Sequence, residues 1–121
     1  MQVAPIIENS PFARIARVVL KSRSVAMVLG GRIHLSGATK AEFLHDPRWV
    51  AHEMCHIRQY QELGTVGFLW RYLVESAKVG YYANKYEAEA RLLGDQDAHL
   101  YANGLPVPDP AASHQGAGAK G

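Results

Sequence analysis

The chain contains very little cysteine. Cys55 is the only cysteine among 121 residues, and a single thiol excludes an internal disulfide. Any metal site must therefore be built from histidine and carboxylate side chains. At this length, and with 48% hydrophobic residues, we expect one compact domain whose core is large enough to be stable without disulfides.

Long hydrophobic runs are also missing. The longest, residues 18–20 and 25–29, fall far short of the roughly 20 apolar residues that span a bilayer. We therefore expect no transmembrane segment. The first residues, MQVAPIIENSPFAR, lack the basic start and the apolar stretch of a secretory signal, so we expect a cytoplasmic protein.

The net charge of +2 is too small to argue for nucleic-acid binding, and we expect none. The charge is nevertheless uneven, because the basic residues within positions 1–40 are opposed only by Glu8. Arg14, Arg17 and Lys21 recur at helical spacing, which is typical of a solvated helix face. The alternative is a basic N-terminal arm that docks the domain to a partner or to an anionic membrane.

Sequence patterns predict one hairpin and four helices. Ser10 followed by Pro11 is a typical helix start and predicts a helix over residues 10–22. Two β-prone runs, Val25–Leu29 and Arg32–Ser36, flank a Gly-Gly pair and predict a β-hairpin. Capping residues and apolar periodicity predict further helices over residues 46–63, 65–80 and 84–102.

These elements predict an α+β fold in a single domain over residues 1–105, with its core at about residues 25–102. The hairpin or small sheet should pack on the helix of residues 46–63, and the helix of residues 65–80 should supply much of the core. Trp49 and Trp70 are predicted to anchor the packing of these two helices. Residues 106–121, PVPDPAASHQGAGAKG, have no apolar period and are expected to form a mobile tail.

The segment His52-Glu53-Met54-Cys55-His56 carries the strongest chemical signal. Histidines four positions apart lie one turn apart on one face of a helix, where they can share a metal ion. Catalytic zinc sites use three protein ligands and keep one position for water. Glu53 can take the proton of that water as it attacks a carbonyl, and then deliver it to the leaving amine. The competing interpretation is a helix with two surface histidines and a solvated glutamate.

The third zinc ligand is expected from the last helix. The sequence after His56 lacks the Gly and His that a three-histidine site carries three and six residues later. Glu87 is the best candidate, although Asn84 and Glu87 also have the spacing of a capping box, which is a structural reason for a glutamate there. Glu89 and Glu75 are the alternatives, and Glu89 is also a candidate hydrogen-bond acceptor for a histidine ring.

The HEMCH motif, followed by YEAEA at residues 86–90, resembles the gluzincins, in particular minimal single-domain members and small bacterial families of unknown function. The resemblance covers about residues 25–95. It implies a zincin-like core, Zn²⁺ bound by His52, His56 and Glu87, and hydrolysis of a peptide bond. It also implies an edge strand at Arg32–Ser36, along which an extended peptide or protein substrate would pair.

Arg91 departs from the family pattern, because relatives often carry an acidic residue there that supports a zinc-binding histidine. This departure bears on activity more than on metal binding. We expect a zinc-dependent metallopeptidase-like hydrolase with Glu53 as general base. The alternative is a catalytically inactive, zinc-stabilised protein-interaction module.

Several other residues invite a functional interpretation, and we expect structural roles for them. Cys55 lies off the face of the two histidines and is predicted to be a buried, small apolar residue. Tyr81, Tyr82 and Tyr86 are candidate donors to a developing oxyanion, but packing is the favoured role. His34 is expected to lie outside the site.

Overall fold

A small three-stranded sheet forms in the first third of the chain. The computed structural model describes residues 3–102. Its strands are β1 (Ile6–Ile7), β2 (Val25–Leu29) and β3 (Arg32–Ser36), in the order β1-β3-β2. β2 and β3 pair antiparallel, which confirms the predicted hairpin, and β1 pairs parallel to β3.

The prediction that Arg32–Ser36 is an edge strand is wrong. β3 is central, because β1 pairs with Ile33 and His34 and the Ser10 N–H donates to the Leu35 carbonyl at 2.9 Å. The edge on the other side of the described sheet belongs to β2. β1 was not predicted, because a two-residue strand is too short to show a hydrophobic period.

Helix α1 (Pro11–Leu20) confirms the predicted N-terminal helix. The Ser10 hydroxyl accepts from the Ala13 N–H, and Lys21 ends the helix in a left-handed conformation with φ 54°. The helix lies against β2 and β3. Ala13 is its one buried residue, and most of its larger apolar side chains stay exposed.

Two helices follow the hairpin. The short α2 (Lys40–Leu44) was not predicted, although Thr39 and Glu42 form a reciprocal capping box at its start and Phe43 is fully buried. The long α3 (Pro47–Leu63) confirms the helix predicted over residues 46–63. Asp46 caps it by accepting from the Trp49 N–H at 3.2 Å.

The last helices form a hairpin beside α3. They are α4 (Thr65–Ala83), which is interrupted at Gly80 by a φ of 85°, and α5 (Lys85–Asp97), which continues into a 3-10 turn over Ala98–Tyr101. The predicted helices are thus confirmed. α5 packs along α3, and Gly94 permits a close approach because a Cβ there would lie 3.1 Å from the Arg48 carbonyl oxygen.

The core lies between the sheet, α2, α3 and the 3-10 turn, and α4 contributes less to it than predicted. Phe68 is the buried residue of α4, whereas Trp70 is 70% exposed, so its predicted anchoring role is wrong. Trp49 packs edge-on against Phe43 with ring centroids 5.2 Å apart. No helix among the described residues is long and apolar enough to cross a membrane. The predicted mobile tail, residues 106–121, lies outside the described residues.

Candidate metal centre

His52 and His56 lie one turn apart on α3, and both rings face α5. Their ring centroids are 5.2 Å apart. The Nε2 atom of His52 lies 3.1 Å from Glu87 Oε1, and the Nε2 atom of His56 lies 3.2 Å from Glu87 Oε2. The predicted histidine face is therefore present, and it meets the carboxylate that the sequence favoured as third ligand.

Asn84 fixes the position of Glu87 by starting α5. Its Oδ1 atom accepts from the N–H groups of Tyr86 and Glu87, at 2.8 and 3.4 Å. The Asn84 N–H donates to the Tyr81 carbonyl rather than to Glu87, so the reciprocal half of the suspected capping box is not made. The cap explains Asn84, but it does not explain why the Glu87 carboxylate points at the two histidines.

His52, His56 and Glu87 are the one group of three potential metal-ligand side chains within the described residues, with ligand atoms within 4.8 Å of one another. The alternative ligands lie elsewhere. Glu75 accepts from the Lys85 N–H at 3.2 Å, and Glu89 accepts from a glutamine amide. Two imidazoles and a carboxylate form a donor set that suits zinc.

Gln59, on the next turn of α3, holds the His56 ring. The His56 Nδ1–H donates to Gln59 Oε1 at 2.8 Å, while the Gln59 amide donates to Glu89 at 2.7 Å and to the Tyr86 carbonyl at 3.2 Å. Glu89 thus supports a histidine through Gln59 and not by the direct contact considered from sequence. A proton on Nδ1 leaves the Nε2 lone pair of a neutral His56 free for a metal.

Glu53 is buried beside this cluster, and its side chain is incompletely satisfied. The residue is 4% exposed, and its Oε1 atom has no hydrogen-bond partner among residues 3–102. Burial raises the pKa of Glu53 to about 7, against the lowering effect of His56 and His52. Leaving a buried acceptor unpaired costs about 1–3 kcal/mol, so the position of this oxygen is unfavourable for folding.

The hydrogen bonds between Glu87 and the two histidines shift the pKa values of Glu87 and His56. Burial alone would raise the pKa of Glu87, but the hydrogen bonds from His52 and His56 outweigh it and hold that pKa well below its usual range. Burial likewise opposes the charged form of His56, and the bond to Glu87 overcomes it, raising the pKa of His56 to about 9. The carboxylate is therefore ionised, as a metal ligand must be.

A phenol that sequence reasoning did not single out completes the cluster. The Tyr72 hydroxyl donates to Glu87 Oε2 at 2.5 Å, and burial together with the Glu87 charge raises the Tyr72 pKa. Tyr72 follows the buried Phe68 by four positions on α4, so helical spacing places both on one face, but it does not indicate the partner of Tyr72. Tyr86 packs on Phe68 with ring centroids 5.3 Å apart, as a structural role requires.

The other residues of interest lie outside the cluster. Arg91 donates to the Tyr82 carbonyl at 2.6 Å and lies over the Tyr82 ring. Cys55 is buried as predicted, and burial, assisted by the charge of Glu89, raises its pKa to about 12. His34 contacts the hydroxyl of the residue that caps α1, with Nδ1 and Oγ 2.8 Å apart.

The cluster forms the floor of a cleft of about 430 Å³. β2 supplies one wall along its whole length, and α1 and α4 supply the others. Tyr81, one of the phenols considered from sequence, also lines this cleft, and burial raises its pKa to about 12. The polar groups are therefore reached through a largely apolar opening.

Comparison with protein-family models, with curated protein sequences and with solved structures gave no match.

Proposed function

We propose that this chain is a zinc-dependent, metallopeptidase-like hydrolase in which His52, His56 and Glu87 hold the ion and Glu53 is the general base. One observation carries the proposal: three side chains of metal-binding type from two helices converge beside a buried glutamate oxygen that has no partner in the described part of the chain. Buried polar groups are normally paired, and unpaired ones concentrate where function needs them.

The residues present fit zinc. Two imidazole nitrogens and one carboxylate are the three protein ligands of a common type of catalytic zinc site, and such a site keeps a fourth position for water. When bound, zinc polarises a carbonyl oxygen and makes water a stronger nucleophile near neutral pH. The Gln59 contact supports this assignment. It holds the proton of a neutral His56 on Nδ1, so the lone pair of Nε2, the atom that faces Glu87, stays free for the ion.

Glu53 performs the proton transfers in this proposal. It accepts a proton from water as the water oxygen bonds to the peptide carbonyl carbon. It then returns the proton to the amide nitrogen as the carbon–nitrogen bond breaks, so that a carboxylic acid and an amine are released. A base whose pKa lies near 7 suits both transfers at neutral pH.

The substrate strand is assigned to β2 in place of β3. β2 is the edge strand of the described sheet and lines the cleft above the cluster. An extended peptide that pairs with it would lie across the His52–Glu53 turn of α3. A zincin-like core, in which a small sheet stands beside the metal-binding helix and a later helix supplies a glutamate, is part of the same proposal.

A second candidate is a zinc-stabilised interaction module without turnover. Arg91 favours it, because this position supplies no acidic partner to a histidine and contacts Tyr82 instead. Both candidates require zinc, so metal content alone does not separate them.

The test combines metal content with one substitution. Protein purified without chelator should hold one zinc per chain, lost in His56→Ala and weakened in Glu87→Ala, as measured by mass spectrometry. Glu53→Gln should keep the zinc and lower the cleavage rate of a fluorogenic casein substrate by at least about 100-fold. Hydrolysis that persists in zinc-loaded Glu53→Gln would exclude this role for Glu53, and a zinc-loaded wild type that cleaves nothing would favour the interaction module.

A further inference from the structure

Helix α1 exposes apolar side chains that a ten-residue helix ordinarily buries. Ile15 is 63% exposed, and Phe12 and Val19 are also more than half exposed. Because exposing such side chains forgoes the stabilisation of burial, a cluster of them usually marks a binding surface. These three side chains share a direction, since all of them line the cleft above the metal-ligand cluster.

The opposite wall of the cleft is apolar as well. α4 contributes Leu69 and Leu73, and Leu73 is 61% exposed. Among the described residues, the cleft is lined by no Lys, Arg or Asp, and its charged groups are those of the cluster on its floor. A charged side chain entering the upper cleft would lose water and find no counter-charge.

We infer that the cleft binds an extended polypeptide through a large apolar side chain next to the reacting carbonyl, and that α1 is the element that selects this side chain. The inference rests on the proposed function, because it names the substrate class of that site. It assigns a role to a helix that lies outside the region carrying the resemblance to the gluzincins.

The continuity of the cleft argues for a polypeptide over other occupants. An occupant that reaches the floor meets His52, Glu53 and Glu87, so it must carry a polar group beyond its apolar part. A peptide offers both, with a carbonyl beside each side chain. A cleft of about 430 Å³ is also in the range of sites that enclose a small ligand or a few side chains.

Val18 provides a matched control on the same helix. It is 73% exposed, carries a similar apolar side chain and does not line the cleft. A flat membrane surface or a second copy of the chain would not distinguish Val18 from Ile15 by their access to the cleft. A substrate side chain bound in the cleft would contact Ile15 and not Val18.

The test uses two fluorescein-labelled hexapeptides, Gly-Gly-Phe-Leu-Gly-Gly and Gly-Gly-Ser-Asn-Gly-Gly. Their binding to zinc-loaded Glu53→Gln protein, which should not cleave them, is measured by fluorescence anisotropy. The apolar peptide should bind at least about tenfold more tightly. Adding Ile15→Ser should weaken its binding about tenfold, whereas adding Val18→Ser should leave it unchanged. Equal affinity for the two peptides, or equal losses in the two variants, would overturn the inference.

Further measurements separate this inference from the proposed function and from other occupants. Both serine variants change exposed positions, so circular dichroism should show an intact fold. Apolar-selective binding by a chain that holds no zinc would sustain the cleft assignment while the proposed function fails. Hydrolysis without a preference for apolar side chains would sustain the proposed function while the cleft assignment fails. If Ile15→Ser instead dissociated a dimer in light scattering, or released the protein from anionic phosphatidylglycerol vesicles, while peptide binding was unaffected, the polypeptide assignment would be wrong.

Discussion

At the residue scale, Gln59 is the side chain that orients the His56 ring. It is buried, and its amide is held from two sides by Glu89 and by the Tyr86 carbonyl, so its Oε1 atom faces His56. Groups that hold a ligand histidine from behind fix its tautomer and ring angle. The Gln59 to Glu89 contact also joins α3 to α5, and so links the orientation of His56 to the position of the helix that carries Glu87.

Replacing Gln59 should therefore weaken metal binding without removing a ligand. We expect Gln59→Ala to lower zinc affinity about 10-fold to 100-fold, measured by competition with a chromophoric chelator. Gln61→Ala changes an exposed glutamine on the same helix and should leave the affinity unchanged. If both variants bound zinc like the wild type, packing alone would orient His56.

At the element scale, Asn84 ties the end of α4 to the start of α5. Its oxygen caps α5, while its Nδ2 atom donates to Ser76 Oγ at 2.8 Å and to the Tyr72 carbonyl at 3.1 Å. The side chain is fully buried and uses both of its polar ends. Asn84 therefore helps to set the angle between the two helices, and with it the meeting of Tyr72 and Glu87.

Asn84→Ala should thus affect both stability and the site. Loss of the cap costs about 1 kcal/mol, and the unpaired buried groups add about 1–3 kcal/mol. We expect the free energy of unfolding of the zinc-free protein to fall by roughly 2–4 kcal/mol in urea denaturation. Gln96→Ala, at an exposed position of α5, is the control and should change it little. A loss no larger than the control would show that α5 is positioned by other contacts.

At the scale of the whole molecule, the candidate metal centre joins α3 and α5, two helices that pack along each other. Two of the candidate ligands come from α3 and one from α5, and the groups that support them come from α3, α4 and α5. In the metal-free chain these contacts are hydrogen bonds between histidines and a carboxylate. A bound ion would replace them with stronger bonds that exist in the folded state alone.

Zinc should accordingly raise the melting temperature. At free zinc near 100 times the dissociation constant, binding to the folded state adds about 2.7 kcal/mol, which corresponds to an increase of about 10 °C or more for a domain of this size. Differential scanning fluorimetry with a zinc titration measures the shift, and added chelator should reverse it. His52→Ala removes a ligand from a partly exposed position and should abolish the shift. The same shift in wild type and variant would place the zinc elsewhere.

Local signals in the sequence were strong enough to predict the hairpin, the long helices and the histidine pair. Pro11 and Pro47 after capping residues, the Gly-Gly turn and the i, i+4 histidines each act within a few residues of the chain. The missed elements show the limit of such signals. β1 has two residues and α2 has five, so neither is long enough to show a hydrophobic period. The Thr39 to Glu42 spacing at α2 is nevertheless a capping signature.

The exposure of Trp70 and the central place of β3 were set by long-range contacts. A tryptophan within a helical apolar stripe predicts burial, but Trp70 borders an open groove with Lys85 and Tyr86 of α5 and stays 70% exposed. Whether β3 lies at the edge of the sheet depends on whether residues 6 and 7 pair with it. No pattern within β3 itself records that pairing.

The sequence by itself determined that His52 and His56 share one face of a helix, because helical geometry fixes the relation between positions four apart. Only the tertiary structure decided that Glu87, rather than Glu89 or Glu75, faces those histidines, since α5 lies on α3 through Gly94 and begins at the buried Asn84. The same packing decided that Gln59 and Tyr72 hold the cluster and that α1 walls the cleft above it. The Gln59 contact with His56 joins positions three apart on α3. The contacts that hold Gln59 itself, like those of Tyr72 and α1, join residues far apart in the chain, where local preferences carry no information.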